Sequence, residues 1–169
     1  QWDKYAGPVL AVGGSYSQVG TPTVIKDNGV YKMWYLARTD GYERAIGYAT
    51  SPNGINWTKN SSLVLLSDTP VSWEDGAGVA DPFVMKDGGI YKMWYAGHVE
   101  NKWQIGYATS SDGISWIKTG NPVLDLSSEG TEVLEPSVTL IKEDAGYTMW
   151  YGALYNGEFR RIGYATSVD

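Results

Sequence analysis

Three residue–proline pairs, Thr21-Pro22, Asp81-Pro82 and Glu135-Pro136, set one hydroxyl and two carboxyl groups at matching points of the chain. Carboxyl groups gathered in one pocket serve as general acids and bases, with protonation set by burial and neighbouring charge. Further candidates break the pattern around them. The connection from Leu66 to Gly78 is five residues longer than its two counterparts and carries Trp73, Glu74 and Asp75. Glu132 lies just ahead of Glu135. Trp103 stands where the other repeats have Arg44 and Arg160, and His98 is the only histidine. A lone histidine in a chain without cysteine is a poor metal site, so no metal and no cofactor are expected. Phosphate-loop, Gly-x-Ser-x-Gly and His-Glu-x-x-His patterns are absent from the sequence, which removes support for nucleotide, serine-hydrolase and zinc-protease chemistry.

The elements that must position these groups are repeated. Ile-Gly-Tyr-Ala-Thr-Ser occurs at Ile46, Ile105 and Ile162, and Met-Trp-Tyr at Met33, Met93 and Met149. Such spacing marks an array of units that cannot bury their faces alone. In the middle unit, Val79 to Lys86 reads as a strand, turned by Asp87-Gly88-Gly89 into Ile90 to Ala96. Trp103 to Thr109 and Ile114 to Lys118 follow, and Val123-Leu124 extends the outer edge. The first unit repeats this with Thr23 to Lys26, Val30 to Leu36, Ala45 to Thr50 and Ile55 to Lys59. The third has Ser137 to Lys142, Tyr147 to Tyr151 and Arg161 to Thr166, with two extra residues expected in its first turn.

Gly-containing turns between alternating strands predict hairpins, so each unit is a four-stranded antiparallel meander. The fold class expected is all-β, a β-propeller of such blades, three per chain in one domain over 1–169. The blades span about 19–66, 79–124 and 133–167. Their missing fourth strand is at the other end, where Trp2-Asp3-Lys4 with Val9-Leu10 matches Trp57 to Leu65 and Trp116 to Leu124.

A chain of 169 residues is long enough for one sizeable core. A net charge of −6 without a basic patch argues against nucleic acid. The sequence has no apolar run of membrane-spanning length. Gln1 is not an initiator, so a processed or excised chain is compatible, and secreted and cytoplasmic locations both stay open.

The run Asp-Gly-Gly-x-Tyr-Lys-Met-Trp-Tyr, then Ile-Gly-Tyr-Ala-Thr-Ser, Asp-Gly-Ile-x-Trp and Pro-Val-Leu resembles the repeats of five-bladed β-propeller glycosidases. That group includes arabinanases and xylosidases, invertases and levansucrases, and mannoside phosphorylases. The resemblance implies an Asp, an Asp and a Glu on three successive blades: base or nucleophile, orienting carboxylate, and general acid. Asp81 matches the second and Glu135 the third, while Thr21 departs from the first. Glycoside hydrolysis needs two carboxyl groups flanking one bond. Either Asp81 is recruited, or Glu132, Asp75 or Glu74 substitutes, or the ring does not catalyse and the carboxylates only line a funnel.

Trp73 and Trp103, near Glu74, Asp75 and His98, are candidate platforms for sugar faces; the alternative is a rim covering a blade interface. Three functions remain: a glycoside hydrolase-like enzyme with an incomplete carboxylate set, a non-catalytic glycan-binding propeller, or a structural or engineered repeat fragment that assembles into a ring. The partner expected is a glycan or oligosaccharide. Three blades leave two apolar flanks open, so a homodimer closing a six-bladed ring is expected, with residues 2–10 completing the third blade of another copy. The rival is a piece of a longer five-bladed protein.

Overall fold

The structure is a computed structural model that describes residues 1–13, 16–39, 43–67, 73–74, 78–99, 102–124, 137–155 and 159–168. The first blade is β1 (Tyr16–Asp27), β2 (Val30–Thr39), β3 (Arg44–Ser51) and β4 (Thr58–Lys59), paired in that order. The second repeats it with β5 (Val79–Asp87), β6 (Ile90–Val99), β7 (Lys102–Ser110) and β8 (Ile117–Lys118). The third has β9 (Val138–Glu143), β10 (Gly146–Tyr155) and β11 (Phe159–Ser167) in the order β11-β10-β9. Every pairing within the sheets is antiparallel. Residues 2–10 form no strand in this chain.

Turn chemistry explains the hairpins. Asn28 and Gly29 have φ of 49° and 81°, and Gly88 and Gly89 have 57° and 85°, the positive pair that a two-residue turn between twisted strands requires. The third turn has no extra residues, contrary to the sequence expectation: Glu143 pairs with Gly146, as Asp27 pairs with Val30 and Asp87 with Ile90.

The fourth strands are shorter than expected because side chains take their donors. Asn53 Oδ1 accepts from the amides of Ile55 and Asn56 at 3.0 and 2.9 Å, and Asp112 Oδ1 from Ile114 and Ser115 at 2.7 Å each. These loops compete with the ladder. Pairing resumes only at Thr58–Lys59 and Ile117–Lys118, with later bridges from Leu65 to Ile46 and from Leu124 to Ile105.

The Ile-Gly-Tyr phrase has a steric origin. A Cβ on Gly47, Gly106 or Gly163 would stand 2.4, 2.4 or 2.1 Å from the ring of Tyr35, Tyr95 or Tyr151. Glycine on the third strand is thus the space that the tyrosine of Met-Trp-Tyr fills, and the two phrases are halves of one contact.

Neighbouring blades are joined by a repeated clamp. Asp27, in the first hairpin, accepts from Lys86 at 2.8 Å, from the Tyr91 hydroxyl, and from Lys32 of its own blade at 3.0 Å. Asp87 accepts likewise from Lys142, from Tyr147 and from Lys92, the last at 3.2 Å. In the third blade Glu143 holds the aspartate's place, while Thr148 stands where the others have Lys32 and Lys92. Indoles add to the seam: Trp34 donates to the Gly113 carbonyl at 2.8 Å and meets the Trp116 ring edge-on at 6.1 Å. Trp34, Tyr48, Val84, Tyr91 and Met93 form one buried cluster across the first seam; Trp94, Ile105, Leu140, Tyr147 and Met149 form another across the second. Three blades in series make a partial β-propeller.

Candidate functional site at the propeller axis

The sequence places Thr21 just ahead of its first strand and Asp81 within Val79 to Lys86. In the structure both lie inside strands, β1 and β5, at equivalent bulges. Pairing jumps from Gly20 to Thr23 in one blade and from Ala80 to Phe83 in the other. The bulge exists because Pro22 and Pro82 have no N–H to give the ladder, and an extra residue lets the strand continue past them.

Thr21 and Asp81 take φ of 41° and 49°. Positive φ is rare for any residue with a Cβ and an outlier for a β-branched one. Holding a residue there costs about 1–3 kcal/mol and persists where the surroundings impose it. A bulge also re-aims its side chain. Sequence reasoning found these two positions but had no signal for their backbone.

The bulges converge on one hollow of about 520 Å³. Its walls are Thr21, Pro22 and Thr23 of β1, Asp81, Pro82 and Phe83 of β5, and Ser137 and Val138 of the third blade. The Thr23 hydroxyl donates to the Pro82 carbonyl at 2.5 Å and ties the two inner strands together. Thr21 is exposed and Asp81 half-buried. The hollow therefore presents a carboxylate and hydroxyls above proline and phenylalanine surface, the mixture of apolar floor and few polar groups usual in small-ligand sites. Thr23 and Ser137 were not singled out from sequence, although each lies two residues after a residue–proline pair's first member.

Glu135, Glu132 and Asp75 lie outside the described residues. The remaining candidates are brought together elsewhere, in two buried groups. Trp73 is 9% exposed and stacks on Tyr95 with centroids 6.3 Å apart, over Gly97, where a Cβ would lie 2.4 Å from its ring. Glu74 has a fully buried side chain, pairs with Lys118 at 2.5 Å and accepts the Tyr95 hydroxyl at 2.7 Å. Burial pushes the Glu74 carboxyl above its ordinary value, against the pull of Lys118 and Tyr95. Trp103 is 4% exposed; His98 meets it edge-on at 5.0 Å and the Arg44 guanidinium lies 5.0 Å from its centroid. Both indoles are buried. Neither ring, nor Glu74, nor His98 lines the axial hollow.

Residues 17–153 match the family described as beta-1,4-mannooligosaccharide phosphorylase. The chain is 36% identical over 155 residues to an uncharacterised protein of Mycobacterium tuberculosis strain H37Rv, covering 87% of this chain and 49% of that one. It is 32% identical over 106 residues to a 1,2-beta-oligomannan phosphorylase of a Thermoanaerobacter species, covering 57% of this chain and 35% of the other. A glycosyl hydrolase from Bacteroides ovatus shares its fold, with a TM-score of 0.71 at 22% identity over 89% of this chain and 46% of that one. The chain thus spans about half the length of the first of these relatives. With residues 17–153 matched, the chain belongs to the carbohydrate-active family of beta-1,4-mannooligosaccharide phosphorylases, glycoside hydrolase family 130.

Proposed function

We propose that the axial hollow is the sugar site of a mannoside phosphorylase, in which Glu135 is the general acid and Asp81 orients the sugar. The observation that carries this is the convergence of Thr21, Asp81 and Ser137 on one hollow. A threonine in the first position supports phosphorolysis over hydrolysis. Hydrolysis needs a carboxylate to activate water or to attack the anomeric carbon. Inorganic phosphate is already an anion near neutral pH and needs no such base. Its oxygen bonds to the anomeric carbon as the glycosidic C–O bond breaks, and Glu135 protonates the departing oxygen. A neutral Thr21 also spares the incoming phosphate a repelling charge. Family membership and the phosphorylase relative support the same choice.

The test is incubation with β-mannooligosaccharides with and without inorganic phosphate. Mannose 1-phosphate formed only with phosphate is the expected result. Free mannose released equally without phosphate would replace phosphorolysis by hydrolysis. Oligosaccharide binding with neither product would favour the non-catalytic glycan-binding reading, which the threonine also fits.

The assembly proposed with this site is two copies of the chain closing a six-bladed ring, so that the hollow gains walls on its open side. A mass of twice the chain by light scattering supports it, and a stable monomer at micromolar concentration removes it.

A further inference from the structure

Asparagine is a chemically labile residue, and most so ahead of glycine, which has no Cβ to shield its backbone nitrogen from the asparagine side-chain carbonyl. The sequence has three such pairs, Asn28-Gly29, Asn53-Gly54 and Asn156-Gly157, the last outside the described residues. The structure separates the first two. Asn53 Oδ1 accepts from the Ser51 hydroxyl at 3.1 Å and from the Ile55 and Asn56 amides. The Gly54 amide donates to Ser51 Oγ at 2.9 Å. The carbonyl to be attacked and the nitrogen that would attack it are both engaged.

At Asn28-Gly29 both are free. Among the described residues neither the Asn28 side chain nor the Gly29 amide makes a hydrogen bond. Both residues are exposed, and a Cβ on Gly29 would meet nothing within 4 Å. Neighbouring blades do not cover this turn. Its counterpart, Gly88-Gly89, is exposed although the second blade packs against a blade on either side. The residue ahead of the pair is Asp27, whose carboxylate takes Lys86 at 2.8 Å and the Tyr91 hydroxyl from the second blade.

We propose that Asn28 is a deamidation site, with water as the co-reactant, through which the seam between the first two blades loosens with age. The Gly29 nitrogen bonds to the Asn28 side-chain carbonyl carbon. The bond from that carbon to the side-chain nitrogen breaks, and ammonia leaves with the Gly29 proton. Water then opens the cyclic imide at either carbonyl, and nothing is oxidised or reduced. One opening gives aspartate, the other isoaspartate, whose main chain runs through the side-chain carbon. The turn matches its twisted strands with two ordinary residues. An added main-chain atom disturbs the pairing of Asp27 with Val30 and carries the Asp27 carboxylate away from Lys86 and Tyr91. The second seam is spared. Gly88 has no side chain to cyclise, and the Asp87 carboxylate ahead of it is held by Lys142, Tyr147 and Lys92. Neither the sugar site nor the number of copies enters into this chemistry.

The test ages the whole chain in mildly alkaline buffer beside a synthetic peptide of residues 25–32. Peptide mapping that separates aspartate from isoaspartate follows each position. Asn28 should give both products at least roughly tenfold faster than Asn53, the ratio that the loss of about one net hydrogen bond implies. An Asn28 that converts no faster than Asn53, or that stays intact after the peptide is consumed, overturns the site. The melting temperature reads the seam. It should fall as isoaspartate accumulates, and at equal conversion fall less in Asp27→Asn, where the clamp is already broken. Asn28→Gly, which copies the Gly88-Gly89 turn, should lose less on ageing than the parent. An equal fall in Asn28→Gly, or no fall in the fully converted parent, overturns the effect on the seam.

Discussion

Asp27 and Tyr91 come from different blades, yet the Tyr91 hydroxyl donates to the Asp27 carboxylate, as Tyr147 does to Asp87 one blade further on. Lys86, then Tyr91 and Lys32, hold the Asp27 carboxyl well below the usual carboxylate range; Lys142, Tyr147 and Lys92 do the same for Asp87. A carboxyl whose folded pKa is depressed adds stability that is present above its unfolded value, about 3.9, and is lost as pH falls through its folded value. Thermal melts should therefore show Asp27→Asn less stable than the parent at pH 7, with the gap shrinking below about pH 4. In a Tyr91→Phe background the same substitution should do less harm, because the two groups share one contact. Additive losses would show that the clamp is not a unit.

Glu74 and Lys118 are paired with their side chains almost fully buried. Lys118→Met leaves a buried carboxylate without its cation, and breaking such a pair costs about 3–5 kcal/mol. Burial already pushes the Glu74 carboxyl up. A raised folded value means that stability is highest below the unfolded pKa and falls as pH rises through the folded one. The variant's deficit, measured by urea unfolding, should be larger at pH 8 than at pH 5. A deficit independent of pH would mean that lost packing, not charge, explains it.

Gly106→Ala drives a Cβ into the Tyr95 ring, 2.4 Å away. Overpacking of this kind costs about 1–3 kcal/mol. The urea midpoint should fall with the slope nearly unchanged, since one methyl group hardly alters the surface exposed on unfolding.

Asp81 sits at φ 49° and carries a side chain proposed to act on sugar. Asp81→Gly should stabilise the fold by about 1 kcal/mol through relief of that strain, less the entropy glycine loses on folding. Oligosaccharide binding should weaken in the same variant. Unchanged binding would remove Asp81 from the site.

Glu135→Gln removes the proton proposed for the leaving oxygen. Turnover of mannooligosaccharide should fall by about 10²- to 10⁴-fold with the circular dichroism spectrum preserved. Retained turnover would exclude Glu135 as the acid.

The hairpins were legible from sequence because Asn28-Gly29 and Gly88-Gly89 announce their own backbone, and the blades because the repeats are in register. The bulges at Thr21 and Asp81 were not, since a residue ahead of proline ordinarily favours extended backbone and nothing local marks the exception. The depth of Trp73 was hidden for a related reason. Its cover is Tyr95, whose type recurs in every blade and so says nothing about an irregular loop that folds back on it, and Gly97, which stands where the other blades have Ala37 and Ala153. Thr148 was visible as a letter, but its meaning needed the clamp that Lys32 and Lys92 make.

The open flanks of the first and third blades are unlike, which gives the arc a head and a tail. Head-to-tail growth has no natural stopping point apart from the curvature of the piece itself. If each blade turns the chain by a sixth of a circle, two copies meet and growth ends. A steeper or shallower turn leaves the second joint gaping, and the same contacts wind copies into a filament. In the proposed two-copy assembly, the pitch of three packed sheets would decide between a closed particle and a fibre, a choice that scattering mass as a function of concentration reads directly.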